Sequence, residues 1–142
     1  LTVHASGGKE MIKAAVDAVP DTLVTAVTIL TSLTAQQLTE MGWAGSPQDI
    51  VKRLAVQSVD AGARAIVCSP QEVAAVRAEV GSATVLITPG VRPAGSDAGD
   101  QKRIATPQQA LSDGADLLVI GRPITASADL AVAAAQIADS IR

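Results

Sequence analysis

The sequence contains no Phe and no Tyr, and Trp43 is its single indole. Single-strand nucleic-acid binders hold bases by stacking them on aromatic faces, and that platform is missing here. Basic runs are absent too. The 142 residues carry 11 Lys and Arg against 14 Asp and Glu, a net charge of −3, which excludes a nucleic-acid partner and leaves any phosphate recognition to a few placed groups. One cysteine, Cys68, excludes an internal disulfide and fits a reducing compartment. No apolar stretch approaches the roughly 20 residues needed to cross a bilayer, and no signal peptide opens the sequence. A cytoplasmic protein without a membrane partner is therefore expected. His, Cys, Asp and Glu never fall at metal-ligand spacing, so no metal is expected either.

What remains is aliphatic. Apolar residues make up 48% of the chain and charged residues 18%, a globular composition drawn from Ala, Val, Ile and Leu. It suits closely packed helices and strands buried on both faces. Short apolar runs without clean alternation predict strands over 1–5, 23–30, 65–68, 84–88 and 117–120. Helices are predicted over 9–19, 35–41, 47–61, 70–80, 107–112 and 130–141. Ser46-Pro47-Gln48-Asp49, Ser69-Pro70-Gln71-Glu72 and Thr106-Pro107-Gln108-Gln109 each offer a hydroxyl cap, Pro at the first helical position and a polar side chain that can reach back. Thr34-Ala35-Gln36-Gln37 repeats the box without Pro. Gly42, Gly62, Gly81 and Gly114 stand where these helices should stop.

Five strand-and-helix units in alternation predict an α/β fold with a parallel sheet and one domain over 1–142. Two architectures compete. A doubly wound open sheet fits this length, whereas a (β/α)₈ TIM barrel runs to about 250 residues and requires three more units. Leu1-Thr2-Val3-His4-Ala5 reads as the inside of a strand and lacks an initiator Met. The expectation is that further units lie upstream and that this is an incomplete barrel of about five βα units.

In either architecture ligands bind beyond the C-terminal ends of the strands. The fifth strand runs into Ile120-Gly121-Arg122-Pro123-Ile124-Thr125. There Gly121 permits close backbone approach and Arg122 can present a planar fork to a phosphate, although Gly-Arg alone reads equally as a surface turn. The fourth ends in Thr88-Pro89-Gly90-Val91-Arg92-Pro93 and leads into a long polar stretch that ends Asp100-Gln101-Lys102-Arg103. A loop of that length is either a solvated connector or a lid. After the second strand, Thr28, Thr31 and Ser32 supply hydroxyls for a base edge or a helix cap. His4 has no visible carboxylate partner and is expected to be a hydrogen-bonded structural group. Cys68, between Ile-Val and Ser, should be a small buried hydrophobe.

Taken together these strand ends resemble one family, orotidine 5′-monophosphate decarboxylase. The resemblance runs through Val3-His4-Ala5-Ser6-Gly7-Gly8, Val27-Thr28-Ile29-Leu30-Thr31-Ser32, Val67-Cys68-Ser69, Thr88-Pro89-Gly90-Val91-Arg92-Pro93, Asp100-Gln101-Lys102-Arg103 and the segment from Gly114 to Thr125, in that order. It implies strands four to eight of a homodimeric (β/α)₈ barrel that uses neither metal nor organic cofactor. It further implies that Arg92, Arg122, Gln101 and the Gly121 backbone hold the 5′-phosphate of OMP or UMP, and that Thr31 contacts the pyrimidine. Pro89 and Gly90 would form the turn beneath the base, opening a mobile loop from 92 to 103.

The departure from the family pattern is as informative. The family's catalytic Lys and its Asp-x-Lys-x-x-Asp segment belong to the second and third barrel strands, and no such segment occurs here. Lys9, Lys13, Lys52 and Lys102 lack partner carboxylates at that spacing, so no catalytic residue is expected in this chain. Two other readings stay open. One is a different phosphate-binding barrel such as a sugar-phosphate aldolase or synthase; the other is a non-catalytic nucleotide-binding half-barrel.

Overall fold

A computed structural model describes residues 1–93 and 103–142. Its elements, in order, are β1 (Thr2–His4), a 3₁₀ turn (Ala5–Gly7), α1 (Gly8–Ala18), β2 (Thr25–Val27), α2 (Ala35–Glu40), α3 (Pro47–Asp60), β3 (Ala65–Val67) and α4 (Val73–Val80). They continue with β4 (Val85–Thr88), α5 (Pro107–Ser112), β5 (Leu117–Leu118), α6 (Arg122–Thr125) and α7 (Leu130–Ser140). The cap chemistry acts as expected at three helices. Ser46 accepts from the Asp49 amide at 3.1 Å, Thr106 from the Gln109 amide at 3.2 Å, and Thr34 and Gln37 form a reciprocal capping box. Gly42, Gly62, Gly81 and Gly114 all take positive φ. At Gly62 any side chain would be strained twice over: φ is +100°, and an added Cβ would sit 3.2 Å from a Val16 methyl.

Two expectations need correction. Helix 70–80 starts late, at Val73, without a side-chain cap. The Glu72 amide instead closes a turn on the Ser69 carbonyl at 3.0 Å, and the Glu72 side chain is committed elsewhere. The second strand is also shorter than 23–30, because Leu23 and Leu30 lie exposed outside the ladder.

The strands follow one another in the order β1-β2-β3-β4-β5, each pair parallel. A doubly wound sheet reverses direction at a switch point; this one never does. Right-handed crossovers that always advance the same way stack every helix on one face, which is the winding of a barrel. The register agrees. Val3, Ala26, Ile66 and Leu86 share one row and meet Ile12, Ile50, Val51, Leu54, Val73 and Val76 in a continuous core. The neighbouring row, His4, Val27, Val67, Ile87 and Leu117, faces the other way and is half-buried or exposed. Burial on both faces was expected of these strands; the helix-covered face achieves it, and on the other face the buried positions are Thr25 and Ala65, at the starts of β2 and β3. Helix α7 has no buried residue, and Leu130 and Val132 are exposed on it. No helix among the described residues is long and apolar enough to cross a membrane.

An apolar row left open between unpaired strand edges invites association with other chains. The isolated 142-residue chain should therefore sediment as a mixture of oligomers and melt without cooperativity. A monodisperse monomer with a sharp thermal transition would contradict this reading of the open face.

Candidate functional site

Because every strand points the same way, the residues after β1, β2, β4 and β5 gather at one end of the sheet. Each is set there by its own local geometry. β2 leaves the ladder at Thr28, whose hydroxyl and amide both donate to the Val67 carbonyl, at 2.7 and 3.1 Å. The chain then turns, with the Leu33 amide donating to the Leu30 carbonyl at 3.0 Å, and Thr31 lies buried in that turn. β4 ends at Thr88, fully buried, and Pro89-Gly90 redirects the chain; Gly90 has φ +78°, a conformation side chains rarely adopt.

Arg92 follows, joined to Ala105 by its backbone amide at 2.9 Å. The residue is 94% removed from solvent, Nη1 donates to the adjacent Val91 carbonyl at 2.8 Å, and Nε finds no hydrogen-bond partner among the described residues. The Thr88 hydroxyl is also buried without a partner among the described residues. Buried donors that go unused are costly, and an anion is the natural group to satisfy a guanidinium. After β5, Gly121 precedes the short helix α6, which opens on Arg122. The Gly121 carbonyl accepts from the Ile124 and Thr125 amides at 2.8 and 3.0 Å, and nothing lies within 4 Å of where its Cβ would be. The space a ligand would approach is open, and Arg122 is exposed beside it.

The structure therefore brings Thr31, Pro89, Arg92, Gly121 and Arg122 to the same end of the sheet. Gln101, and with it most of the expected lid, lies outside the described residues. His4 is exposed and makes no side-chain hydrogen bond among the described residues, unlike the structural role expected of it. It lines a cavity of about 130 Å³ with Ser6, Thr28, Leu30, Met41 and Trp43. A larger depression, about 470 Å³, lies between α3 and α4 around Lys52 and Glu79. That pair is bridged at 2.7 Å on the outer helical layer, far along the chain from any strand exit.

Sequence reasoning missed a second group at the same end. Glu72 and Arg103, both buried, form an ion pair at 2.5 Å. The Ser69 hydroxyl donates to the other Glu72 oxygen, and Arg103 Nη2 donates to the Leu30 carbonyl at 3.0 Å and toward that of Ile29 at 3.5 Å. Ser-x-x-Glu was read as a helix cap. The available signal was an acidic residue in an otherwise apolar stretch, matched by Arg103 some thirty residues later in the sequence.

Comparison with known proteins gives one consistent result. A family model described as orotidine 5′-phosphate decarboxylase / HUMPS matches residues 1–137. The chain is 60% identical over its whole length to an orotidine 5′-phosphate decarboxylase of Thermobifida fusca (strain YX), covering 61% of that protein. Over 97% of its length it is 59% identical to the enzyme of that name from Frankia casuarinae, covering 50%. The crystal structure of orotidine 5′-phosphate decarboxylase from Lactobacillus acidophilus superposes with a TM-score of 0.84 at 33% identity, over 99% of this chain and 62% of that one. The chain thus spans half to three fifths of the length of these relatives, and its five units have the fold of part of a (β/α)₈ barrel.

Cys68 behaves as a buried hydrophobe. It is fully buried, and burial, followed by the nearby Glu72 carboxylate, pushes its thiol from the ordinary 9.0 up to about 12. Thiol reagents at pH 8 should leave the folded protein unmodified and label it promptly in denaturant. Because the folded pKa is raised, folding retains the proton, and this contribution to stability is full below pH 9 and declines as pH rises toward 12. Rapid labelling of native protein at pH 8 would contradict the assignment.

Proposed function

The chain belongs to the orotidine 5′-phosphate decarboxylase / HUMPS family, and from that premise we propose that it is the C-terminal portion of an enzyme converting orotidine 5′-monophosphate to UMP and CO₂. The observation that carries the proposal is the pair of arginines at adjacent strand exits, Arg92 buried with an unused donor and Arg122 open to solvent beside Gly121. Two guanidinium groups there suit a dianionic phosphate. In this reading Arg92, Arg122, Gln101 and the Gly121 backbone hold the 5′-phosphate. Thr31 meets the pyrimidine, and Pro89-Gly90 forms the turn beneath it.

The chemistry itself is assigned to groups outside this chain. A Lys and an Asp-x-Lys-x-x-Asp segment would arrange charge so that the carbanion developing at C6 is favoured over the departing carboxylate, and a Lys would then protonate C6. The part described here contributes at a distance. Phosphate contacts that tighten toward the transition state convert binding into rate without touching the reacting carbon. We assign the enzyme to the cytoplasm, as a homodimer acting on a free nucleotide. Both curated relatives compared above carry the decarboxylase name, which favours this reading over a sugar-phosphate barrel.

The experiment joins the chain to the part of the Thermobifida fusca relative that it does not cover and follows UMP formation. Decarboxylation by the joined protein, and none by the chain alone, is expected; turnover by the chain alone would overturn the placement of the catalytic groups. In the active protein, Arg122→Ala should lower kcat/KM for OMP by the equivalent of roughly 2–5 kcal/mol, the usual cost of losing one partner of a charge pair that the bound ligand would bury. For orotidine, which lacks the phosphate, the loss should nearly vanish. Equal losses on both substrates would remove Arg122 from the phosphate site.

A further inference from the structure

We infer that Glu72 is a positioning residue: through Arg103 it fixes the turn that carries Thr31 at the mouth of the site. The inference rests on the functional reading above for what Thr31 touches, but the clamp itself is visible in the geometry. Three separate chain segments meet here. The Ser69 hydroxyl and the Arg103 Nη1 each take one oxygen of the Glu72 carboxylate, so both are used and the side chain has one orientation. Arg103 is 93% removed from solvent, and its second nitrogen reaches the carbonyls of Leu30 and Ile29.

The Leu30 carbonyl is a hinge point. It also accepts the Leu33 amide at 3.0 Å, the bond that closes the turn over Thr31 and Ser32. One oxygen thus binds the turn to itself and to Arg103. A carbonyl accepting from a guanidinium that is itself neutralised by a carboxylate forms a stronger, better-directed bond than one accepting from water. Neither Glu72 nor Arg103 is required to approach a ligand. Their effect is that the residue after Leu30 arrives with little freedom, and a loosened group in a binding site costs catalysis out of proportion to its displacement. A neutral Gln at 72 keeps the shape and the Ser69 bond while removing the charge that holds Arg103, which makes it the informative substitution.

The test is a cycle in the joined, full-length enzyme. Glu72→Gln alone should lower kcat/KM for OMP about tenfold or more, an effect of the order expected when a supporting contact around a site is lost. Introduced into Thr31→Ala, where the positioned hydroxyl is already gone, it should lower kcat/KM by less than about twofold, since contributions that act through one residue do not add. The shift in Tm caused by Glu72→Gln should be the same in both backgrounds. Glu72→Asp, which keeps the charge, should recover part of the loss. Equal losses of kcat/KM in the two backgrounds would mean that Glu72 is merely structural and would overturn the proposal. Hydrogen exchange provides an arm independent of activity. In Glu72→Gln the amides of the turn from Leu30 to Leu33 should exchange at least tenfold faster by local opening, while β3 and β4 report only the global loss of stability that the Tm shift measures. Unchanged exchange in that turn would overturn the clamp even if the enzyme turns over normally. If the unsubstituted enzyme fails to decarboxylate OMP, the functional reading falls, and exchange alone decides the clamp.

Discussion

The constraint on which the rest depends is the handedness of the crossovers between neighbouring parallel strands. β1 to β5 advance one place at a time in one direction, and a right-handed connection at each step sends every helix to the same side. Three consequences follow. The helices share one core against Ala26, Ile66 and Leu86. The opposite row, from Val27 to Leu117, is left for something else to cover. All strand exits fall at one end, so residues as distant in sequence as Thr31 and Arg122 stand at the same end of the sheet without any dedicated scaffold.

That end of the sheet is also where the structure places its least comfortable groups. Arg92 and Arg103 are cations within the protein, and Thr88 holds a buried hydroxyl without a partner. Arg103 is neutralised by Glu72, an arrangement whose loss of one partner ordinarily costs roughly 3–5 kcal/mol because the other charge is stranded. Arg92 keeps an unused donor. Each arginine leaves its Nε unpartnered among the described residues; they differ in that Arg103 is held by a carboxylate, whereas Arg92 donates to the Val91 carbonyl.

Much of this was legible in the sequence because the signals are local. Hydroxyl caps followed by Pro marked α3 and α5 nearly to the residue, and the strand-end motifs pointed to the family to which the chain belongs. Ser69-Pro70-Gln71-Glu72 misled for a non-local reason. The same letters that cap a helix elsewhere here serve an ion pair with Arg103, and no local pattern encodes that partner. The short strands were over-extended for a related cause. Apolar residues such as Leu23 and Leu30 read as strand, while the ladder ends where Thr28 turns its hydroxyl onto β3. The winding itself could be settled only by strand order, since composition serves a barrel and a doubly wound sheet equally well.

We propose that these strand exits hold the phosphate end of a nucleotide. A crystal structure of the joined, full-length protein with UMP decides this. Phosphate oxygens are expected within hydrogen-bonding distance of the Arg92 and Arg122 guanidinium groups and of the Gly121 backbone, with the pyrimidine beside Thr31. A nucleotide bound with its phosphate away from both arginines would contradict it.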